Sequence, residues 1–277
     1  MTRMTMRFAG AIGLVAAAMV LGPTPQSVAQ EKIAVDGSTG TAPLVAALGK
    51  AFAAKGGTAV EIGKGLGTKA RFEALGAQKI DIAMASHGLK VDEVARMGMT
   101  AHRIAMTPVV FAVHGGVAIA GLADAQLCAI YEGRTRNWRD AGGPDLAIAP
   151  LTRPDSEVDA EVVRDGVACL KPLKMPEGVK VLARAGDMAK ALAETPGSIG
   201  MTSATVVGQS QGKLKAMALN GVEPSEANVE TGRYRFTRDA FLVTRNAPAP
   251  KVKAFVEFVK SAEGAAIIRA NGALPAR

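Results

Sequence analysis

The stretch LCAIYEGRTRNWRDAGGPDLAIAPLTRPDSEVD, residues Leu127 to Asp159, contains a helical segment, a turn marked by tryptophan and a strand that ends at an arginine. The apolar spacing over Asp124 to Tyr131 predicts a helix, and the small and apolar residues Leu146 to Leu151 predict a strand. Such a strand would bring Arg153 to the open edge of a sheet, where ligands of α/β proteins bind. We therefore predict that Arg153 binds the ligand.

The first 29 residues have the pattern of a secretory signal peptide. Arginines precede the apolar run Phe8 to Leu21, and the small-x-small sequence Ser27-Val28-Ala29 follows it. The run is shorter than the roughly 20 residues that a membrane-spanning helix requires. We predict cleavage after Ala29 and a periplasmic location. No cysteine lies near this site, so we expect no lipid anchor.

The net charge favours a small anionic ligand. It is +8 for the whole chain and +6 without residues 1–29, which contain two arginines and no acidic residue. Lysine and arginine are scattered singly and aromatic residues make up 4 % of the chain, which argues against a nucleic-acid-binding surface. A mildly positive field suits an anionic solute.

The two cysteines, Cys128 and Cys169, have two possible states in an exported chain. They form one disulfide, or they are two buried thiols. The sequence cannot set the distance between them, so both alternatives stay open.

Three strand–loop–helix units follow one another at the start of the mature chain. The predicted strands are Lys32 to Asp36, Ala59 to Ile62 and Ile80 to Met84. Successive units of this kind predict a parallel sheet whose loops converge at one edge. The helix N-termini at that edge offer unpaired N–H groups to an anion. The polar residues that we expect along this edge are Ser38, Thr39, Lys64, Ser86 and His87.

Several of these residues also have a purely structural interpretation. Ser38 or Thr41 could serve as a cap of the following helix without contacting a ligand. Lys64 could be an ordinary solvated lysine, and His87 could pack on its neighbours in a loop. The glycines at Gly63-x-Gly65 lack the third glycine and the acidic residue of a dinucleotide-binding motif, so we predict no such cofactor.

The chain is long enough for two lobes, because 248 residues remain after the first 29 of 277. The most apolar strand, Ile104 to Val113, is the predicted first crossing between them, and Lys213 to Leu219 is the predicted return. We expect an α/β fold in which each lobe is a mainly parallel sheet flanked by helices, with the ligand cleft between the lobes. The predicted segments are a signal peptide at 1–29, lobe I at 30–113 plus 214–277, and lobe II at 114–213. We expect the hinge near Val113 to Gly116 and Lys213 to Asn220.

The chain resembles the phosphate-type periplasmic solute-binding proteins of ABC importers, of the PBP-like superfamily, type II. Motifs in the family's order carry the resemblance over almost all of the mature sequence. They are Ile130-Tyr131-x-Gly133 with Asn137-Trp138-x-Asp140, Thr195-Pro196-Gly197-Ser198-Ile199-Gly200, Tyr234-x-x-x-Arg238, and Phe255-x-x-Phe258-Val259 with Gly272-Ala273-Leu274-Pro275.

The resemblance implies that loop hydroxyls, backbone N–H groups and one arginine hold phosphate or a similar oxyanion between the lobes, without a cofactor or metal. In this reading Asp155 fixes the plane of the Arg153 guanidinium. The implied protein is a monomer whose partner is a membrane ABC permease. The complete set of expected ligand-binding residues is Ser38, Thr39, Gly40, Thr41, Lys64, Ser86, His87, Arg153, Asp155 and Ser156.

One segment departs from the family's pattern. After Arg-x-Asp the family usually continues Gly-Ser-Gly-Thr, whereas this chain has Ser156-Glu157-Val158-Asp159. Inward carboxylates would repel a phosphate dianion. Either both acids point to solvent as the acidic first turn of a helix, or the ligand has changed to another organic anion or a zwitterion. We expect the first alternative.

An enzymatic function is the weaker hypothesis. Gly208-Gln209-Ser210-Gln211-Gly212 matches the nucleophile elbow G-x-S-x-G of serine hydrolases, but that fold needs its histidine after the serine. The three histidines, His87, His102 and His114, all precede Ser210. No zinc-ligand spacing is present either. We predict a binding protein, and a sensing role without transport stays open beside import.

Overall fold

The computed structural model describes residues 1–2, 31–171 and 178–276. The predicted signal peptide and its cleavage site therefore lie outside the described residues, except for the first two positions. Glu31–Arg277 forms one compact unit. Within the described residues, no helix combines the length and the apolarity needed to cross a membrane.

Strand–helix units open the fold as the sequence predicts. They consist of β1 (Lys32–Gly37), α1 (Ala42–Ala54), β2 (Ala59–Ile62), α2 (Thr68–Gly76), β3 (Ile82–Ser86) and α3 (Val91–Arg96). β1 lies between β2 and β3 and pairs in parallel with both. α1 forms because Pro43 suits its first turn, and because Leu44 and Leu48 recur at helical spacing and are buried.

A single long strand, β4 (Met99–His114), connects the two parts of the sheet. Its first part pairs antiparallel with β11 (Thr237–Arg245), and its second part pairs antiparallel with β8 (Ser198–Ser203). The predicted strand at Ile104 to Val113 is thus the C-terminal part of a longer one, which begins at Met99 and ends at His114.

The remaining elements follow β4 in chain order, with β8 and β11 among them. They are β5 (Gly121–Leu122), α4 (Asp124–Tyr131), β6 (Ala149–Thr152), α5 (Val158–Gly166), β7 (Lys180–Val181), α6 (Ala185–Glu194), α7 (Ala204–Gln209), β9 (Leu214–Ala216), β10 (Ala218–Leu219), α8 (Glu226–Glu230), α9 (Pro250–Lys260), α10 (Ala262–Ala270) and β12 (Leu274–Pro275). Short 3-10 helices span Trp138–Ala141 and Ala168–Leu170.

The main sheet has the strand order β2-β1-β3-β11-β4-β8-β6-β7, with β9 and β12 also paired to β4. β6 pairs in parallel with β7 and β8, just as β1 does with β2 and β3. The antiparallel β4 and β11 lie between these two parallel groups. The α/β fold class with two lobes is therefore confirmed, while the lobe boundaries at 113/114 and 213/214 stay a prediction.

Separate hydrophobic clusters pack around the two parallel groups. Leu48, Ile82 and Phe255 belong to a cluster on the β1–β3 group, and Phe111 and Trp138 belong to the cluster on the β6–β8 group. The Trp138 indole donates to the Gly197 carbonyl oxygen at 2.9 Å, so the two motifs that contain these residues are in direct contact.

Cys128 of α4 and Cys169 of the second 3-10 helix form a disulfide, with their Cα atoms 6.2 Å apart. Of the two alternatives that the sequence left open, the structure therefore has the disulfide. The bond ties α4 to the segment that follows α5.

Candidate functional site

A cleft of about 270 Å³ lies where the loops after β1, β2 and β3 meet the beginnings of α5 and α6. The carboxyl ends of neighbouring parallel strands face this cleft, which is the usual ligand position in an open α/β sheet. The residues that line it are Gly37, Ser38, Thr39, Lys64, Gly65, Leu66, Gly67, Thr68, Arg71, Ser86, His87, Ser156, Glu157, Val158, Ala183 and Arg184.

Three helices, α2, α5 and α6, begin at this cleft. Their N-cap residues are Gly67, Glu157 and Arg184. Gly67 has no side chain and Arg184 has no acceptor atom, and in the described chain the Glu157 carboxylate accepts no hydrogen bond from α5. The first N–H groups of a helix have no partner within the helix and carry partial positive charge. The cleft is therefore suited to an anion.

Asp36 joins the loops after β1 and β2. Its Oδ1 accepts hydrogen bonds from the Gly37 N–H at 2.6 Å and from the Gly65 N–H at 2.9 Å. Gly37 has a φ of +132°, and a Cβ there would lie 2.3 Å from the Met84 carbonyl oxygen. Only glycine fits this close approach of β1 to β3, which sets the position of Ser38 beyond it.

The structure brings together six of the ten predicted ligand-binding residues. Those that line the cleft are Ser38, Thr39, Lys64, Ser86, His87 and Ser156. Thr39 also spans the cleft, because its Oγ1 accepts a hydrogen bond from the Ala185 N–H at the start of α6, at 3.5 Å.

Two more predicted residues, Gly40 and Thr41, have structural contacts outside the cleft lining. The Gly40 carbonyl oxygen accepts a hydrogen bond from Arg238 at 2.7 Å. Thr41 is buried, and its hydroxyl donates to the Ala85 carbonyl oxygen at 3.3 Å instead of capping α1. Both residues hold the loop that carries Ser38 and Thr39.

Arg153 and Asp155 also lie outside the cleft lining. Arg153 is 2 % exposed, and its guanidinium donates to the Leu182 carbonyl oxygen at 3.2 Å and to Glu157 Oε2 at 2.7 Å. Asp155 instead lies 2.7 Å from Arg164. The prediction that Asp155 fixes the Arg153 guanidinium is therefore wrong. Glu157, at the N-cap of α5, turns back toward Arg153, whereas Asp155 lies in the exposed turn before it.

The expectation that Glu157 and Asp159 point to solvent is also wrong. Glu157 lines the cleft. Asp159 is 3 % exposed, and its Oδ1 lies 3.1 Å from Nε of Arg238, which is 4 % exposed. A buried guanidinium is costly without a counter-charge, and each of these acids supplies one.

Arg238 is a junction that the sequence pattern did not indicate as part of the site. Besides Asp159, it contacts the Gly40 carbonyl oxygen at 2.7 Å and Ser86 Oγ at 3.4 Å. It therefore links α5 to the loops after β1 and β3. Its place in the motif Tyr234-x-x-x-Arg238 was the available signal, since β11 delivers it to the same sheet edge.

Two further cations in the cleft lining, Arg71 and Arg184, were not predicted. Arg71 follows Thr68 by one turn in α2, so its position near a helix N-terminus was the signal that could have indicated it. Arg184 precedes α6 directly. Among the described residues, no carboxylate lies within ion-pair distance of Lys64, Arg71 or Arg184.

The three histidines have separate surroundings. His87 Nδ1 lies 3.8 Å from Asp239 Oδ2, at the cleft. His102 contacts Thr244 and Lys260, and burial together with the Lys260 charge lowers its pKa to about 4. His114 accepts a hydrogen bond from the Gly116 N–H. No histidine in the described chain is hydrogen-bonded to Ser210, whose hydroxyl donates to the Val207 carbonyl oxygen at the end of α7.

A family model described as a PBP superfamily domain matches residues 22–263. The chain belongs to this superfamily. The phosphate-binding protein PstS of Bacillus subtilis is 27 % identical over 161 residues, which are 58 % of this chain and 52 % of that protein. PstS of Borreliella burgdorferi is 25 % identical over 201 residues, which are 70 % of this chain and 71 % of that protein. The match thus spans about half the length of the first relative.

A solved structure with the same fold is that of a phosphate ABC transporter substrate-binding protein with bound phosphate from Clostridium perfringens. Its TM-score is 0.71 at 23 % identity, and the match covers 89 % of this chain and 100 % of that one. The predicted resemblance to phosphate-type solute-binding proteins is confirmed, and the structural likeness supports the two-lobed fold.

Proposed function

We propose that this chain is the extracytoplasmic solute-binding protein of an ABC importer, and that it binds phosphate or a similar small oxyanion without changing it chemically. The observation that carries the proposal is the convergence of helix N-termini, loop hydroxyls and cations on one cleft. An anion removed from water needs several donors, and this cleft supplies them from separate elements.

The charge balance of the cleft lining favours an anion. Lys64, Arg71 and Arg184 face it without a carboxylate partner among the described residues, whereas Glu157 is the one acidic residue in the lining. The excess of positive charge attracts an oxyanion and raises its rate of association.

Glu157 and Asp159, the acids that made a changed ligand plausible, repel a bound anion only weakly. Glu157 is paired with Arg153, and Asp159 with Arg238. Each pair is close to neutral when seen from the cleft, so the repulsion expected of a free carboxylate is reduced. A changed ligand is therefore not needed to explain these acids, and the phosphate-binding relatives favour phosphate over another organic anion or a zwitterion.

The cleft can hold a small anion. Its volume is about 270 Å³, and an adjoining cavity of about 420 Å³ shares Gly37, Thr39, Lys64, Gly65 and Arg184 with it. The relatives named above are phosphate-binding proteins, which agrees with a small tetrahedral anion in a cleft of this size.

The finer parts of the proposal concern location and partners. The chain is exported through a signal peptide at residues 1–29, carries no lipid anchor, acts as a monomer in the periplasm and delivers its solute to a membrane permease. It is not an enzyme. The relatives named above are binding proteins and not enzymes, which supports this part of the proposal.

The proposal is tested by calorimetric titration of the chain from Gln30, unfolded and refolded to remove carried-over ligand. We expect inorganic phosphate at neutral pH to bind with micromolar or tighter affinity, with glycine as a zwitterionic control that gives no heat. Absence of heat with phosphate, for protein shown to be folded by circular dichroism, would contradict the proposed ligand.

Transport is separated from sensing by uptake of labelled phosphate in cells with and without the chain. Loss of high-affinity uptake on deletion is expected for an importer subunit. Uptake that persists while a phosphate-dependent response is lost would instead indicate a sensor.

A further inference from the structure

Arg71 is a buried guanidinium in the cleft wall that no carboxylate of the described residues neutralises. It is 9 % exposed and lies in α2, close to the helix N-terminus. Its Nη2 donates to Thr68 Oγ1 at 3.3 Å, and its buried Nε has no hydrogen-bond partner in the described chain. The contacts of Arg71 thus leave part of its hydrogen-bonding capacity unused, although its Nε is itself shielded from solvent.

The surroundings of Arg71 make its charge costly in the ligand-free protein. Burial lowers the pKa of this guanidinium, and the Phe72 ring lies 5.1 Å from it. A buried charge without a counter-charge or a full set of hydrogen bonds is unfavourable. A bound anion would remove this cost, so Arg71 is prepared for a ligand.

The two other buried arginines near the cleft differ from Arg71 because each has a carboxylate counter-charge, although the buried Nε of both also makes no hydrogen bond in the described chain. Arg153 uses its two Nη atoms on the Leu182 carbonyl oxygen and Glu157. Arg238 contacts Gly40, Ser86 and Asp159. Neither of them is part of the cleft lining. An anion at the Arg153 guanidinium would first have to displace the Glu157 carboxylate.

We infer that Arg71, and not Arg153, is the arginine that binds the oxyanion, through the part of its guanidinium that lines the cleft. The N-terminus of α2 lies beside it, and Lys64 and Arg184 add positive charge to the same cleft. A guanidinium presents N–H donors in parallel, which a lysine cannot do. The inference rests on the proposed function and names Arg71 as the residue that recognises the charge of the bound anion.

The test is calorimetric titration with inorganic phosphate of Arg71→Met, which keeps the apolar stem, and of Arg71→Lys, which keeps the charge. Lys69→Met is the matched control, because it removes one positive charge from the same helix at a side chain that is 91 % exposed and outside the cleft lining. We expect phosphate affinity to fall at least 100-fold in Arg71→Met, about 10-fold in Arg71→Lys and less than 3-fold in Lys69→Met.

The outcomes separate this inference from the proposed function. If the unaltered chain binds phosphate and Arg71→Met binds it within 3-fold as tightly, Arg71 is not the anion's guanidinium. If Arg71→Met does not fold, Arg71→Lys decides, and unchanged affinity there overturns the inference. If the folded, unaltered chain binds no phosphate, the proposed ligand is wrong and the inference is overturned with it.

Discussion

Glu157 is the residue at which this cleft differs most from an ordinary anion site. A carboxylate in the cleft lining repels an anion, yet its Oε2 lies 2.7 Å from the Arg153 guanidinium, which offsets the repulsion. The side chain is only partly buried, so part of the carboxylate still faces the solvent of the cleft. Glu157 is therefore expected to weaken anion binding without abolishing it.

Glu157→Gln should raise phosphate affinity about 10-fold, because it removes a negative charge from the cleft lining and keeps the size of the side chain. It should also lower the thermal stability, since Arg153 loses its counter-charge. Calorimetry and thermal unfolding measure these effects.

Asp155→Asn is the matched control for Glu157→Gln. It removes an equal charge from a side chain that is 74 % exposed, lies outside the cleft lining and pairs with Arg164. We expect its phosphate affinity to stay within 2-fold. A loss of affinity in Glu157→Gln would mean that this carboxylate accepts a hydrogen bond from the ligand.

The sequence predicted the cleft residues whose positions follow from strand ends, but not the direction of charged side chains. Ser38, Ser86 and His87 follow from the strand pattern because each lies at or just beyond the end of a predicted strand. Glu157 and Asp159 depend on the residue at which α5 begins and on which buried arginine each acid meets. Long-range contacts decide both, and the local sequence does not contain them.

At the scale of elements, the ion pair between Asp159 and Arg238 joins α5 to β11 across the cleft edge. Both side chains are almost fully buried, and Arg238 also holds the loops after β1 and β3 through Gly40 and Ser86. These contacts make the position of α5 depend on one arginine, and α5 in turn presents Glu157 and Val158 to the cleft.

Asp159→Ala should lower the free energy of unfolding by about 3–5 kcal/mol, because it leaves the Arg238 guanidinium buried without a counter-charge. Urea unfolding of the ligand-free protein measures this change. Glu73→Ala is the control, since it removes an acid from an exposed pair with Lys69 and should cost less than about 0.5 kcal/mol. A change below about 1 kcal/mol in Asp159→Ala would show that the pair does not hold α5.

The repeating elements of the fold were predictable because their periodicity is local. The strands β1 and β2 and the helix α4 agree with the predicted segments to within a few residues. The short helices α7 and α8 and the strand β12 carry too few residues for a periodic pattern, and the positions of α7 and β12 depend on contacts with β4.

For the whole molecule, the order of motifs predicted the superfamily and the two-lobed fold better than any single element did. The family match over residues 22–263 covers most of the chain. The contact between Trp138 and Gly197 shows why two of the motifs occur together, because one supplies the indole donor and the other its acceptor. The positions of β4 and β11 between the two parallel groups could not be predicted from the sequence. Both strands belong to one continuous sheet, and the boundary between the lobes could lie at several points in it.

The most direct test of this account is the position of the bound anion. Arsenate has the shape and charge of phosphate, and its arsenic atom can be located by anomalous scattering in crystals of the ligand-stripped protein grown with arsenate. We predict one arsenic site in the cleft between Ser38, Ser86 and Arg71, with its oxygens about 2.7–2.9 Å from the Arg71 N–H donors. An arsenic site at Arg153 with Glu157 displaced, or a site outside the cleft, would contradict it.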